Sequence, residues 1–531
     1  MPSKKNHKSQ LAGPLLSASL IISVTSLFSR VLGLCRDRLL AGTFGADNTL
    51  DMYYASFRIP DLIFNLLILG ALSSAFIPIF KELISKNHDS HAWRITNNLI
   101  NVLLITIIFL CLIVFIFAHP LTKLIAPGFS PEQISTTTNL TRIMLLSPIF
   151  FTLSSIAGGM LNSFKKFVSY SLAPIMYNAG IILGILYLVP RYGIYGLAYG
   201  VVIGATLNLF IQIPELLSIG YRYAPYLDFK DKYLRKIVFL TIPTMLSLAI
   251  GQINLTIDNV IASTLVTGSI SVINLATNLY YLPIGIFAIP ICTAVFPNLV
   301  EHITDKKYDK FSQQLSRSTK QILYVIIPSA IFLYVFRAQI VRIFLGTGAF
   351  DWQDTTETLK TLGFFAFSLP FQALIPLFFR TFYATQNTTK PLIASGISML
   401  TNIVFSLLLT PILGVSGLAL SFAIASITNL LIINFLLHQH LPKFHFRIGS
   451  VLLKIILTSA IAGGISYFSL SLFEPFFDNT TLLGLFLQTT SSSIMGIGVY
   501  LTISYYLQIE ELFIVAKIFK LPFLSKYFNR K

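Results

Sequence analysis

Long apolar segments separated by short polar loops recur along the chain from Leu15 almost to its C-terminus. Each segment is long enough to cross the hydrocarbon core of a bilayer, which takes about 20 helical residues. The pattern predicts an all-α polytopic membrane protein of about fourteen transmembrane helices. The predicted helices span residues 14–33, 50–80, 96–118, 139–161, 169–189, 194–216, 236–262, 270–299, 319–337, 358–383, 389–411, 415–437, 450–472 and 483–507.

The chain also repeats itself with a period of about 221 residues. Gly193–Ala198 follows Pro190 in the first half, and Gly414–Ala419, with a related sequence, follows Pro411 in the second. The repeat predicts two six-helix lobes, then two additional helices and a basic amphipathic tail. The predicted boundaries are 1–218, 219–440 and 441–531. An even number of helices per lobe makes the repeats parallel, and such a pair encloses a cavity between its lobes.

Composition excludes a water-soluble protein, because 54% of the residues are hydrophobic, only 11% are charged and the mean hydropathy is +0.75. The formal net charge is +17, but the basic residues are distributed among loops and do not form one nucleic-acid-binding domain. The loops on one side of the predicted membrane hold most of the Lys and Arg. The positive-inside rule therefore predicts a multi-pass protein of the cytoplasmic (inner) membrane, with both termini in the cytoplasm.

Catalytic and metal-binding motifs are missing from the sequence: it has no nucleophile elbow, P-loop or HExxH. The three cysteines are too scattered for a disulfide framework. His438, His440 and His445 fall in a short basic loop, where metal binding is not expected. The prediction is a transporter and not an enzyme, with no cofactor.

Charged residues inside membrane segments are concentrated in the first lobe. Each costs about 2.5–3.5 kcal/mol on insertion scales, so such residues usually face a cavity or a partner. Arginine suits a pyrophosphate, because its planar guanidinium donates paired hydrogen bonds to oxyanions. Alternatively, the carboxylates only neutralise the arginines within the fold. The candidate substrate-binding residues are Arg30, Arg36, Arg58, Asp37 and Asp51.

Two prolines at matching places, Pro60 and Pro283, are candidate gating joints, since a proline removes a backbone hydrogen bond and kinks a helix. A static kink for packing is the alternative.

Asp258 and Asn402 are candidate cation ligands. The GxxxG pair Gly200 and Gly204 is interpreted as helix packing.

Several motifs carry a family resemblance: Ser29–Asp37, Phe44-Gly45, Asp51–Pro60, and Gly70–Pro78. With Ile125–Phe129 and Gly346–Phe350, they resemble the MurJ (MviN) family of lipid II flippases over nearly the whole chain. The resemblance implies the fold of the multidrug/oligosaccharidyl-lipid/polysaccharide exporter superfamily, with two extra C-terminal helices forming a groove for a polyprenyl tail. It also implies that Arg30, Arg36, Arg58 and Asp51 line the cavity.

The chain departs from this family at several usually charged positions, where it has Phe64, Asn65, Leu69, Thr277 and Asn278. Ser406 stands where an acidic partner of the cation site is expected. The cavity is thus less basic than is usual in the family.

The resemblance implies a flippase that moves lipid II, a polyprenyl-pyrophosphate-linked glycopeptide, to the outer leaflet by alternating access. A monovalent cation or the membrane potential would supply coupling, and membrane lipids and cell-wall synthesis machinery are the expected partners. An exporter of another polyprenyl-linked glycan is the main alternative. A polyprenyl-phosphate transferase using Asp37 and Asp51 is less favoured, because no catalytic set accompanies the aspartates. A cell-division scaffold is equally disfavoured.

Overall fold

The computed structural model describes residues 7–69, 76–86, 89–440 and 449–512. Within these ranges the regular structure is entirely helical, which confirms the predicted fold class. The α-helices of the described residues are α1 His7–Phe44, α2 Asn48–Phe64, α3 Ile77–Ser85, α4 Asp89–Ile116, α5 Ala118–Ile125, α6 Pro131–Met144, α7 Ser147–Ser163, α8 Val168–Leu183, α9 Val189–Tyr192, α10 Tyr195–Phe210, α11 Ile213–Ser218, α12 Lys232–Ser263, α13 Ser269–Pro283, α14 Ile289–Thr304, α15 Tyr308–Val335, α16 Arg337–Phe344, α17 Trp352–Ala384, α18 Thr389–Leu413, α19 Val415–His440, α20 Gly449–Phe473 and α21 Leu482–Tyr506.

Eleven helical stretches within the described ranges are long and apolar enough to cross a membrane. They coincide with eleven of the predicted segments. The segments 14–33, 50–80 and 236–262 are helical where described but are not among the eleven. A total of fourteen spans therefore stays a prediction. His445 and most of the predicted tail lie outside the described residues.

The first helix is longer than predicted. It continues past residue 33 to Phe44, and ends where Gly45 takes a positive φ of 68° and donates its N–H to the Ala41 carbonyl. Glycine adopts this left-handed conformation without steric cost and so ends helices. Arg36 and Asp37 consequently lie inside the helix, not at its end.

The chain divides into two compact units, Met1–Ser271 and Val272–Lys531, here called unit 1 and unit 2. In unit 1, α12 packs against α2, α4 and α5. In unit 2, α20 packs against α15 and α21. The boundaries 1–218, 219–440 and 441–531, which were predicted from the sequence repeat, stay a prediction.

The repeat is visible in the local geometry of both units. Gly193, after α9, has φ 57° and ψ −140°, and Gly414, after α18, has φ 61° and ψ −143°. Each donates its N–H over 2.9 Å, to the carbonyls of Val189 and Thr410 respectively. The same irregular turn thus occurs at corresponding positions of both halves.

Glycines bring α8 and α10 into backbone contact. A Cβ on Gly180 would overlap the Cα of Gly204, and a Cβ on Gly200 would lie 2.9 Å from the Cα of Gly184. Small residues allow membrane helices to approach this closely. The packing interpretation of Gly200 and Gly204 is therefore confirmed.

The π-helical stretches whose bounds lie within the described residues are Asn65–Leu69, Gly184–Leu188 and Ile284–Ala288. The last two end two residues before Pro190 and Pro290, where a missing N–H disturbs the α-helical ladder. Of the candidate gating prolines, Pro60 is buried inside α2, and Pro283 ends α13 directly before a π-helical stretch. Their gating role stays a prediction.

Candidate functional site

Arg36 and Asp37 form an ion pair within α1. Asp37 Oδ1 accepts hydrogen bonds from Arg36 Nε at 3.0 Å and from Nη2 at 2.7 Å. Arg36 Nη1 donates to Asn178 Oδ1 at 3.0 Å. A guanidinium has five N–H groups, so two of those on Arg36 remain without a partner among the described residues. The side chain is 21% exposed, so it is oriented by the protein yet retains donors for a ligand.

Asn178 on α8 holds this arginine in place. Its Nδ2 donates to the carbonyls of Pro174 at 3.2 Å and Ser29 at 3.3 Å. These bonds orient the amide oxygen toward Arg36. Sequence reasoning missed Asn178, because no local pattern distinguishes this asparagine from others in the chain.

Arg58 on α2 joins a second polar network. Its Nε donates to Asn259 Oδ1 at 3.3 Å, and Asn259 Nδ2 donates to the Ile125 carbonyl at 2.9 Å. The carboxylates of Asp61 and Asp258 interact electrostatically with Arg58. Asn259 and Asp61 were also missed from the sequence. Asp61 was detectable, since it lies three residues after Arg58 and so on the same helix face.

Asp51 has both carboxylate oxygens bound to the protein. Oδ2 accepts from the Gly268 N–H at 2.7 Å, and Oδ1 accepts from the Ser271 N–H at 2.7 Å and its hydroxyl at 2.6 Å. The residue is only 4% exposed. Asp51 thus caps the beginning of α13 by accepting hydrogen bonds from N–H groups that have no partner within that helix. A substrate contact by Asp51 stays a prediction, and a test of it must distinguish that contact from the capping role.

Arg30 and Tyr54 differ from these paired groups. Arg30 is half-buried and makes no hydrogen bond or ion pair with another described residue. The Tyr54 hydroxyl is buried without a hydrogen-bond partner in the described part of the chain, and it interacts electrostatically with Asp37, Arg36 and Asp51. Tyr54 was not predicted from the sequence. A free donor among these charges is suited to contacting a polar ligand.

The two candidate cation ligands lie in different units. Asp258 Oδ2 accepts from Asn254 Nδ2 at 3.4 Å in unit 1, whereas Asn402 is buried in unit 2. Their pairing stays a prediction.

Among the described residues no cluster of three or more His, Cys, Asp or Glu has metal-binding geometry. His438 Nδ1 lies 2.9 Å from the Asn434 carbonyl.

An apolar pocket of about 670 Å³ lies in unit 2 between α15, α17, α19 and α20. Its walls include Leu323, Phe367, Phe371, Leu431 and Ile456. Such a lining suits an aliphatic chain and not a charged head group. The predicted tail groove was assigned to the two C-terminal helices, and of these α20 contributes to this pocket.

A family model described as "Lipid II flippase MurJ" matches residues 40–487. The chain belongs to the lipid II flippase MurJ family. A Thermotoga maritima protein named probable lipid II flippase MurJ is 30% identical over 501 residues, which cover 94% of this chain and 98% of that protein. A Borreliella burgdorferi protein of the same name is 29% identical over 442 residues, covering 83% of this chain and 87% of the relative.

Solved structures agree with the family. A structure titled "Lipid II flippase MurJ, inward closed conformation" matches with a TM-score of 0.77 and 30% identity, covering 92% of this chain and 98% of that one. An inward-facing multidrug transporter of the MATE family matches in fold, with a TM-score of 0.65, 16% identity, and coverage of 80% and 97%. As a MurJ-family member with this fold, the chain is a multi-pass membrane transporter, as predicted.

Proposed function

We propose that this chain moves lipid II from the inner to the outer leaflet of the cytoplasmic membrane by alternating access. The head group enters a cavity through its pyrophosphate, while the polyprenyl tail remains in apolar surroundings. This assignment rests on the family membership and on the arginine side chains of unit 1.

The observation that carries the proposal is the incomplete pairing of the arginines. Arg36 keeps two N–H groups beyond those used by Asp37 and Asn178, and Arg30 has no partner among the described residues. The donors that this pairing leaves over can bind a ligand. Unshared guanidinium donors in a low-dielectric site favour a doubly charged oxyanion such as pyrophosphate.

The apolar pocket of unit 2 supports the second half of the proposal. A polyprenyl tail is wholly aliphatic, and Phe367, Phe371 and Leu431 offer it a surface without charge. Binding the tail there would keep it out of the polar site.

The membrane potential favours the direction of transport. With both termini in the cytoplasm, as the basic loops predict, each negative charge moved outward gains about 2.3 kcal/mol per 100 mV. Resetting the empty carrier is then the step that needs coupling, and Asp258, close to Arg58, is the candidate cation ligand. Replacement by Asn should abolish the dependence of transport on a sodium or proton gradient while leaving exchange of loaded substrate intact.

The function is tested in proteoliposomes with fluorescent lipid II. Arg30→Ala and Arg36→Ala should each slow flipping by about tenfold or more, because a charge-assisted hydrogen bond contributes about 1.5–3 kcal/mol. Arg142→Ala is the matched control, since Arg142 contacts the Phe115 carbonyl and ring outside these networks. Normal flipping by folded Arg30→Ala and Arg36→Ala proteins would contradict the site.

Recognition through the pyrophosphate and the tail is tested in the same vesicles. An unlabelled polyprenyl-pyrophosphate glycan without the peptide is added as a competitor. Because it shares both groups with lipid II, it should compete with lipid II, and a lack of competition would contradict recognition through these groups.

A further inference from the structure

A polar pocket of about 240 Å³ lies in unit 2, where α17 and α21 begin. That volume is equivalent to about eight water molecules, which is the size of a small phospholipid head group. The pocket lies between the α16–α17 loop and the loop that follows α20. Its polar and aromatic lining consists of Arg342, Asp351, Trp352, Thr355, Thr480 and Thr481. Because α17 and α21 both belong to membrane spans, the pocket is at the membrane surface, the depth of lipid head groups.

One side of the pocket is suited to a phosphate. Arg342 Nη2 donates to the Asn479 carbonyl at 3.0 Å, which holds the guanidinium in place and leaves its other N–H groups available. Helix α21 begins here, with the uncharged Thr481 as its N-cap residue. The free N–H groups of this helix N-terminus add positive potential to that of the arginine.

The other side is suited to an ammonium group. Asp351 Oδ1 accepts from the Asp354 N–H at 2.8 Å, and its second oxygen accepts no hydrogen bond from the described residues. The neighbouring Trp352 indole is 71% exposed. A carboxylate oxygen beside an aromatic face is the usual environment of a bound amine cation.

The helix start in unit 1 that corresponds to α17 in the sequence repeat lacks the carboxylate and the indole. Helix α6 begins at Pro131 after the N-cap Ser130, and α17 begins at Trp352 after the N-cap Asp351. Both N-caps form a capping box, so serine fulfils the structural requirement without charge. The carboxylate and the indole of unit 2 are therefore not required to start the helix.

We propose that this pocket binds the head group of a zwitterionic phospholipid, phosphatidylethanolamine. The phosphate contacts Arg342 and the N-terminus of α21, and the ammonium contacts Asp351 and Trp352. The bound lipid would fasten the α20–α21 loop to the α16–α17 loop. This site is separate from the arginines of unit 1 and does not depend on the transport proposal.

The test measures lipid retained by the purified full chain. The protein is placed in detergent micelles that contain phosphatidylethanolamine, phosphatidylglycerol or phosphatidylcholine, and retained lipid is counted by native mass spectrometry. The wild-type chain should retain one phosphatidylethanolamine in preference to phosphatidylglycerol, which has no ammonium group, and to phosphatidylcholine, whose trimethylammonium group cannot donate a hydrogen bond to Asp351. Arg342→Ala should lower retention of this lipid about tenfold. Asp351→Asn keeps an N-cap acceptor but should remove the preference for phosphatidylethanolamine over phosphatidylglycerol.

Arg337→Ala is the matched control. Arg337 lies on the same short helix, but its guanidinium contacts the Tyr334 carbonyl and ring and does not line the pocket. Trp352→Ala supplies an independent variant whose exposed side chain is not needed for packing, and it should weaken retention too. Equal retention of phosphatidylglycerol or phosphatidylcholine by the wild type, or unchanged retention in Arg342→Ala and Trp352→Ala, would overturn the proposal.

Discussion

Asn98 and Asp228 bind each other through two reciprocal hydrogen bonds of 2.8 Å. The Asn98 amide donates to the Asp228 carbonyl and accepts from the Asp228 N–H. Both backbone groups of a loop residue are thereby satisfied by one side chain on α4. Asn97 and Asn101, on the same helix, bind the carbonyls of Arg222 and Tyr226 and accept from tyrosine hydroxyls. Three asparagines therefore hold the linker between α11 and α12, which has no regular secondary structure of its own.

Replacing Asn98 should release this linker. Asn98→Leu removes the partners of two backbone groups, a loss of about 1–3 kcal/mol in the local opening free energy. Trypsin should then cleave at Arg222, Lys230 or Lys232 about tenfold faster, which gel electrophoresis of the purified protein measures. Thr106→Ala on the same helix removes only a bond to the Val102 carbonyl and serves as the control. Unchanged cleavage in Asn98→Leu would show that the linker is held by other contacts.

The linker should also depend on pH. Hydrogen bonds from the Lys230 N–H at 2.9 Å and the Tyr226 hydroxyl at 3.1 Å lower the pKa of Asp228 below its ordinary value. A lowered folded-state pKa stabilises the linker above the unfolded pKa of about 3.9, and this stabilisation is lost as pH falls through the folded pKa. Hydrogen exchange of the 221–231 amides, corrected for intrinsic rates, should show constant protection above pH 5 and falling protection toward pH 3. In Asp228→Asn this fall should disappear.

Asp51→Ala should destabilise the protein more than it affects substrate recognition. The substitution leaves the Gly268 and Ser271 N–H groups without an acceptor, at a cost of about 2–3 kcal/mol. Thermal unfolding followed by intrinsic fluorescence should show a lowered midpoint, with Asp51→Asn intermediate. Asp47→Ala is the control, since Asp47 is the N-cap of α2 but makes no side-chain capping bond. A normal midpoint combined with lost lipid II flipping would instead assign Asp51 to the substrate.

Most of the helical architecture was predictable, because each membrane-spanning helix must be a long apolar run. Such a run can be recognised from the sequence of that helix alone. The short helices α5 and α16 were missed, since helices of eight residues carry too little periodicity. Partners of the arginines were not predictable. Asn178 lies 142 residues from Arg36, and Asn259 lies 201 residues from Arg58, and only tertiary packing brings them together. Asp51 was recognised as unusual, but its capping bonds to residues more than 200 positions away were not visible in the sequence.

The contact between α8 and α10 should tolerate no added side-chain atom. Gly180→Ala places a methyl group against the backbone of Gly204, which cannot rotate away. Overpacking of this kind costs about 1–3 kcal/mol and should lower the unfolding midpoint. Gly251→Ala, at a helix position with open space around it, should leave the midpoint unchanged or raise it slightly. Equal midpoints for both variants would mean that the two helices separate easily.

The matching turns at Gly193 and Gly414 bear on the ancestry of the chain. Chance accounts less easily for two irregular turns that share φ, ψ and a hydrogen bond than for two apolar helices. Duplication of one ancestral segment accounts for the matching turns directly. The charges of Arg30, Arg36 and Arg58 are confined to one copy, so the chemical asymmetry arose by divergence after the scaffold had doubled.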